Sequence, residues 1–377
     1  MKSEDLTVIR DIAASLESID LRLSYKLLSL VDNYCDNDSF NNKRIAFYRE
    51  QLFGMVLTAR TDGTTERINA IVNGLLLSRK FGLNFYFSWV GKSSNTYHCT
   101  TKELPDIFSE EFVKEHFKPF DDFQRYTYSK LDKRQNSELA NGLQPRGSSE
   151  YREKVIENAK LKKGNIVPAT YNYGNKYSTV VEKVFDQKYL DIKKNKAISE
   201  KNYIAIHYRG GDVIYGVSRF DESALFGKSA CLSMIEPIIC ENKSSNILLF
   251  GTPVDESLDD LKFLKSKYKN VTLASELHTE GLNPVIEECF IMGLCEQVYS
   301  TSGTGVVRLA TKISPGIRVV YYDDVFSEQE LFECLLKGIA NHEYNALQRA
   351  NHARKALSMS MGFEDELKSH IAKLDPQ

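Results

Sequence analysis

Strand-like runs alternate with helical ones from residue 203 to residue 322, and no other feature of the chain leaves it so few folds. Tyr203 to Ile206, Ile247 to Phe250, Val271 to Ala274, Gln297 to Ser300 and Arg318 to Tyr322 read as short strands. Between them lie a helix around Ala230 to Cys240, one carrying Leu258, Leu261 and Leu264, one from Pro284 ending near Gly293, and one from Val306. Strands joined through helices pair parallel, so the pattern implies a doubly wound α/β sheet.

A shorter unit of the same kind opens at Met55. Met55 to Thr58 is an apolar run, Thr61-Asp62-Gly63-Thr64 is turn chemistry, Ile68 to Phe81 has helical periodicity, and Phe85, Phe87 and Trp89 alternate as a strand. Ahead of it, residues 4 to 52 predict two or three short helices, from Ile9, Ile12, Ala13 and Leu16 and then Leu23, Leu27, Leu30 and Val31. Residues 100 to 195 are charged and irregular and carry no recognisable motif. The expected organisation is a helical appendage (1–52), a first α/β domain (53–195), a second (196–344) and a C-terminal helical segment (345–377) that packs back across the first unit. Two facing α/β units would place the carboxyl ends of their strands around one cleft, where open sheets bind ligands.

Composition narrows the function. With 49 Lys plus Arg against 51 Asp plus Glu, the net charge of −2 argues against nucleic acid as a partner. The seven cysteines are scattered and form no CxxC pair, which suits reduced thiols in the cytoplasm better than a disulfide frame or a zinc site. No apolar h-region follows Met1, and no run reaches the roughly 18 apolar residues that span a bilayer. A membrane-linked substrate would be met peripherally.

The sharpest chemical signal is His207-Tyr208-Arg209-Gly210-Gly211-Asp212, directly after the strand Tyr203 to Ile206. An arginine at a strand's carboxyl end offers a planar, permanently charged fork, and two glycines let backbone approach a ligand closely; together they suit a diphosphate. Asp212 would orient Arg209 or hold a sugar hydroxyl. A second signal, Ser300-Thr301-Ser302-Gly303-Thr304-Gly305, leads into a helix carrying Arg308, and a helix start rich in small hydroxyl residues is an anion site. In the first unit, Arg60-Thr61-Asp62-Gly63-Thr64-Thr65-Glu66-Arg67 matches neither a Walker A loop nor GxGxxG. There Gly63 supplies a tight turn, and Arg67 is placed to reach the cleft from the opposite side. The acidic pairs Asp259-Asp260 and Asp323-Asp324 read as solvated faces rather than metal ligands.

The Gly- and Arg-containing first loop, the HxRxGD-like segment at His207, the middle strand and helix (Ile247 to Asn270) and the late Ser/Thr turn before Val306-Val307-Arg308 resemble α-1,6-fucosyltransferases. Bacterial nodulation fucosyltransferases and protein O-fucosyltransferases belong to the same group of relatives. The resemblance is good over about residues 200 to 325 and plausible over 53 to 90. It implies a GT-B-like fold, with two Rossmann-type domains facing a cleft, and a GDP-sugar donor held by the second domain. It further implies inversion at the anomeric carbon, no obligatory metal and no cofactor beyond the GDP-sugar co-substrate. By position, Arg209 binds the pyrophosphate, His207 and Glu288 contact the nucleotide, Ser302, Gly303 and Thr304 touch the phosphates, and Thr252 joins the donor contacts. Where the family often has an acidic residue, this chain has Val213-Ile214-Tyr215-Gly216-Val217, with the next acids at Asp221 and Glu222.

The expected reaction is attack of a glycan or glycoconjugate hydroxyl on the anomeric carbon as the nucleoside diphosphate departs. Arg209 and the helix start after Thr304, with Arg308 or Arg67, would stabilise the leaving group. Asp221 is the candidate general base, ahead of Glu222 and Asp212. The expected setting is a cytoplasmic enzyme of surface polysaccharide biosynthesis, with a lipid-linked acceptor as its route to the membrane face. The alternatives are the same fold using another GDP- or UDP-sugar, such as a deoxyhexose or heptose, and a non-catalytic nucleotide-binding scaffold.

Overall fold

The computed structural model describes residues 3–16, 23–24, 26–28, 55–58, 64–81, 83–89, 104–119, 166–168, 178–209, 229–251, 255–301 and 304–358. Within the N-terminal stretch, helix α1 (Ser3–Ser15) matches the expected first helix, and the Ser24 hydroxyl donates to Ala13 O at 2.6 Å.

Among the described residues the first unit is a three-stranded parallel sheet made of β1 (Met55–Thr58), β2 (Asn84–Phe87) and β3 (Ile166–Pro168), in the order β2-β1-β3. Among the described residues β3 is an edge strand, the position in a sheet where a proline such as Pro168 is tolerated. Helix α2 (Thr64–Phe81) crosses over from β1 to β2 and buries Ile68, Ile71, Val72, Leu75 and Leu76, each worth about 1.5–3 kcal/mol.

The motif-poor region of the sequence supplies part of this core. Phe112, on helix α3 (Glu110–His116), stacks on Phe87 with ring centroids 5.4 Å apart, and Trp89 meets Phe108 edge-on at 6.0 Å. Helices α4 (Ser178–Val184), α5 (Gln187–Leu190) and α6 (Lys196–Ser199) then carry the chain to the second unit, with Phe185 edge-on to Phe290 at 5.1 Å.

The second unit follows the strand and helix order read from the sequence. Strands β4 (Ile204–Tyr208), β5 (Ile247–Gly251), β6 (Val271–Leu273), β7 (Gln297–Ser300) and β8 (Arg318–Tyr321) form one parallel sheet in the order β6-β5-β4-β7-β8. Alternate residues of each strand face opposite layers. Ala205, Leu248, Phe250 and Val298 share a core with α9 (Pro284–Met292), α10 (Gly305–Ile313) and the first unit. Ile206, Tyr208, Leu249 and Leu273 face α7 (Leu232–Glu241), α8 (Asp255–Lys267) and α12 (Glu328–Ala340); the short α11 (Tyr322–Val325) precedes α12. Helices on both faces make the sheet doubly wound.

Two expectations are corrected. The C-terminal helix α13 (Ala346–Ser358) packs on the second unit, against α12 and α7, and not across the first. Its Gln348 amide donates to Asp260 at 2.6 Å, and Asp260 also accepts from the Tyr208 hydroxyl. Asp260 is therefore buried rather than solvated, while its neighbour Asp259 is exposed. A carboxylate with two directed donors offsets its desolvation, which the sequence pattern alone did not reveal. Among the described residues no helix is long and apolar enough to cross a membrane.

Candidate functional site

Winding the second sheet in both directions from β4 puts its switch point between β4 and β7, where the connections leave toward opposite faces. Both phosphate-suited segments of the sequence begin there. Strand β4 runs two residues further than the sequence suggested, so His207 and Tyr208 are strand residues and alternate in direction. Tyr208 turns to α8 and Asp260, whereas the buried His207 ring turns toward β7, where its Nδ1 lies 3.3 Å from Ser300 Oγ.

The Ser300 hydroxyl also lies 3.1 Å from Thr301 O, so its single proton satisfies that carbonyl when His207 donates from Nδ1. Nε2 is then left as an acceptor. Burial, followed by the nearby Arg209 charge, pushes the His207 pKa down to about 3, and the imidazole is neutral at physiological pH. Arg209 follows at the strand end, half-buried, with its carbonyl accepting from Ala230 N at 3.2 Å. Gly210, Gly211, Asp212 and the base candidates Asp221 and Glu222 lie outside the described residues, as do Gly63, Thr252, Ser302 and Gly303.

Across the switch point, α10 starts at Gly305 with Thr304 as its N-cap, and Thr304 makes no side-chain capping bond. The hydroxyls of Thr304 and Thr301 are buried and have no hydrogen-bond partner among the described residues. Orphan hydroxyls beside the free amides of a helix start form a donor-rich seat for an anion.

The first unit reaches the same seat. A methyl group on Gly305 would lie 2.5 Å from Thr65 Oγ1 and 2.7 Å from Glu66 Oε1, so any larger residue would require these side chains to shift. Glu66 pairs with Arg308, and Lys312 Nζ donates to Asn69 Oδ1 at 3.1 Å. The carboxyl ends of β1 and β7 thus converge through the starts of α2 and α10.

The remaining expected site residues stand elsewhere. The Arg67 side chain is buried, with its guanidinium 4.7 Å from the centre of the Trp89 ring. Glu288 is buried on α9 with His278 Nε2 at 3.4 Å; burial raises the Glu288 pKa, and the adjacent Glu288 carboxylate raises that of His278. The structure gathers His207, Arg209, Ser300, Thr301, Thr304, Arg308 and Glu66. Of these, Glu66 had no sequence signal, because its partner lies 242 residues away. A separate groove of about 320 Å³ between α7 and α12 is lined by Glu236, but that carboxylate already accepts from Tyr268, Tyr344 and Lys267. Among the described residues no group of three or more His, Cys, Asp or Glu side chains is placed to hold a metal ion.

No family profile matches this sequence, and no curated protein sequence matches it. Among solved structures, POFUT1 in complex with GDP is similar over 72% of this chain and 98% of that chain, at 10% identity and a TM-score of 0.41. Fucosyltransferase NodZ from Bradyrhizobium is similar over 71% of this chain and 96% of that chain, at 13% identity and a TM-score of 0.42. NodZ α-1,6-fucosyltransferase co-crystallised with GDP covers 69% and 92%, at 11% identity and a TM-score of 0.41. It is the chain's own side chains that carry the function proposed next.

Proposed function

We propose that this chain is a glycosyltransferase that moves fucose or a related sugar from a GDP-sugar to a hydroxyl of a glycan or glycoconjugate, with inversion and without a metal. One observation carries the proposal. His207 and Arg209, at the end of β4, stand beside Ser300 and Thr301 at the end of β7, the strand that leads into α10, at the switch point of a parallel sheet. A diphosphate placed there would meet a guanidinium on one side and helix amides with two threonine hydroxyls on the other. Those donors are in place before reaction, so they stabilise charge as it grows on the departing diphosphate at little reorganisation cost. The neutral His207 contributes no charge; with Nδ1 donating to Ser300, its Nε2 offers an acceptor to a nucleotide donor group. Asp221 is the proposed base for the acceptor hydroxyl, with Asp212 orienting Arg209. The HxRxGD-like segment makes GDP the first nucleotide to try.

The test is a thermal-shift panel of GDP, GDP-fucose, UDP, ADP and CMP, with and without EDTA, on the wild type and Arg209→Ala. A ligand at a hundred times its Kd stabilises the native state by about 2.7 kcal/mol. The expected result is a shift with GDP or GDP-fucose that survives EDTA and is lost in Arg209→Ala. A shift with UDP alone would replace the donor, loss of the shift in EDTA would remove metal independence, and no shift with any nucleotide would overturn the proposal.

A further inference from the structure

The seat at the start of α10 already has a neighbour of the sign it is built to attract. Glu66 comes from the facing unit, and its Oε1 lies 2.7 Å from where a Gly305 side chain would begin. It is paired with Arg308, one turn into the same helix, and its side chain is 15% exposed against 34% for Arg308. A carboxylate at a helix start and on an arginine makes the contacts a phosphate oxygen would make there.

We propose that Glu66 is the resident anion of this seat, and that an incoming diphosphate competes with it for Arg308 and the α10 amides. One feature points to an exogenous anion beyond Glu66. The Thr301 and Thr304 hydroxyls are buried without partners among the described residues, so Glu66 does not satisfy the donors of the seat. Burial and then the proximity of Arg308 hold Lys312 down to about 8, against the opposing effect of Glu66.

The consequence has a definite sign. A tethered carboxylate that holds the seat about nine-tenths of the time lowers the apparent affinity of any competing anion about tenfold. A Glu66 that merely aligned Arg308 for the ligand would have the opposite effect, and its removal would weaken binding.

The inference rests on the reading of the α10 start as a phosphate seat, and inorganic pyrophosphate tests both separately. Calorimetric titration of the full chain at fixed low ionic strength compares the wild type, Glu66→Gln and Glu66→Asp. Glu66→Gln keeps the length and removes the charge, and it is expected to bind pyrophosphate about tenfold more tightly. Glu66→Asp, which withdraws the charge by one methylene, is expected to fall between, and it provides the comparison if Glu66→Gln does not fold. Equal or weaker binding by the variants, with measurable binding by the wild type, overturns the role of Glu66 and leaves the seat standing. No pyrophosphate binding by any of the three proteins overturns the seat and the inference together.

Discussion

Nδ1 of His207 lies 3.3 Å from the hydroxyl of Ser300, and this buried contact joins the two segments that the proposed donor site needs. His207 is the penultimate residue of one strand and Ser300 ends the neighbouring one, so the contact fixes the relative position of Arg209 and Thr301, two and one residues further on. Ser300→Ala would leave a buried imidazole nitrogen unsatisfied, and such orphaning costs about 1–3 kcal/mol. The expected result is a lower denaturant midpoint with an unchanged m-value; an unaltered midpoint would mean that the contact is not made in solution.

Thr304→Val should separate binding from stability. An N-cap threonine is ordinarily worth about 1 kcal/mol through its capping bond, but Thr304 makes none and its hydroxyl is buried without a partner among the described residues. The isosteric substitution should therefore leave stability within about 0.5 kcal/mol of wild type. GDP affinity should fall about three- to tenfold, the worth of one hydrogen bond. Calorimetry and denaturant unfolding on the same preparation check both halves.

Gly338→Ala should destabilise, although alanine is the better helix former by about 1 kcal/mol. A methyl group there would overlap the ring of His352 on α13. That ring is held at both nitrogens, with Nδ1 2.7 Å from Gln348 O and Nε2 accepting from Ser233 N at 3.3 Å, so it cannot move aside. Overpacking of this kind costs about 1–3 kcal/mol, and the sum predicts a lower Tm. A raised Tm would show that α12 and α13 shift apart readily.

Acid should weaken the fold through two histidines. Burial pushes His352 down to about 4 and His207 down to about 3, against 6.5 for an ordinary imidazole. As the pH falls below 6.5 the unfolded chain takes up protons that the folded chain refuses, so stability declines with falling pH until the folded pKa is reached. Each histidine contributes a slope of up to about 1.4 kcal/mol per pH unit. Unfolding measured from pH 7.5 to 4.5 should be less steep in pH for His352→Gln by about one proton; parallel profiles would count against a neutral, buried His352.

The sequence by itself determined the order of strands and helices in the second unit, the crossover helix of the first, and the location of His207 and Arg209 at a strand end. These follow from periods of two and 3.6 residues and from backbone chemistry that acts between near neighbours. It did not determine the aromatic packing of Phe108, Phe112 and Phe185, because those residues sit in charged, irregular sequence and acquire a core only from Phe87, Trp89 and Phe290. Tertiary structure alone placed β4 beside β7, buried Asp260 under α13, and set Glu66 against Arg308 across 242 residues. A residue's periodicity is fixed by what lies three or four positions away, but its partner is fixed by which elements the folded chain stacks together, and no local pattern records that choice.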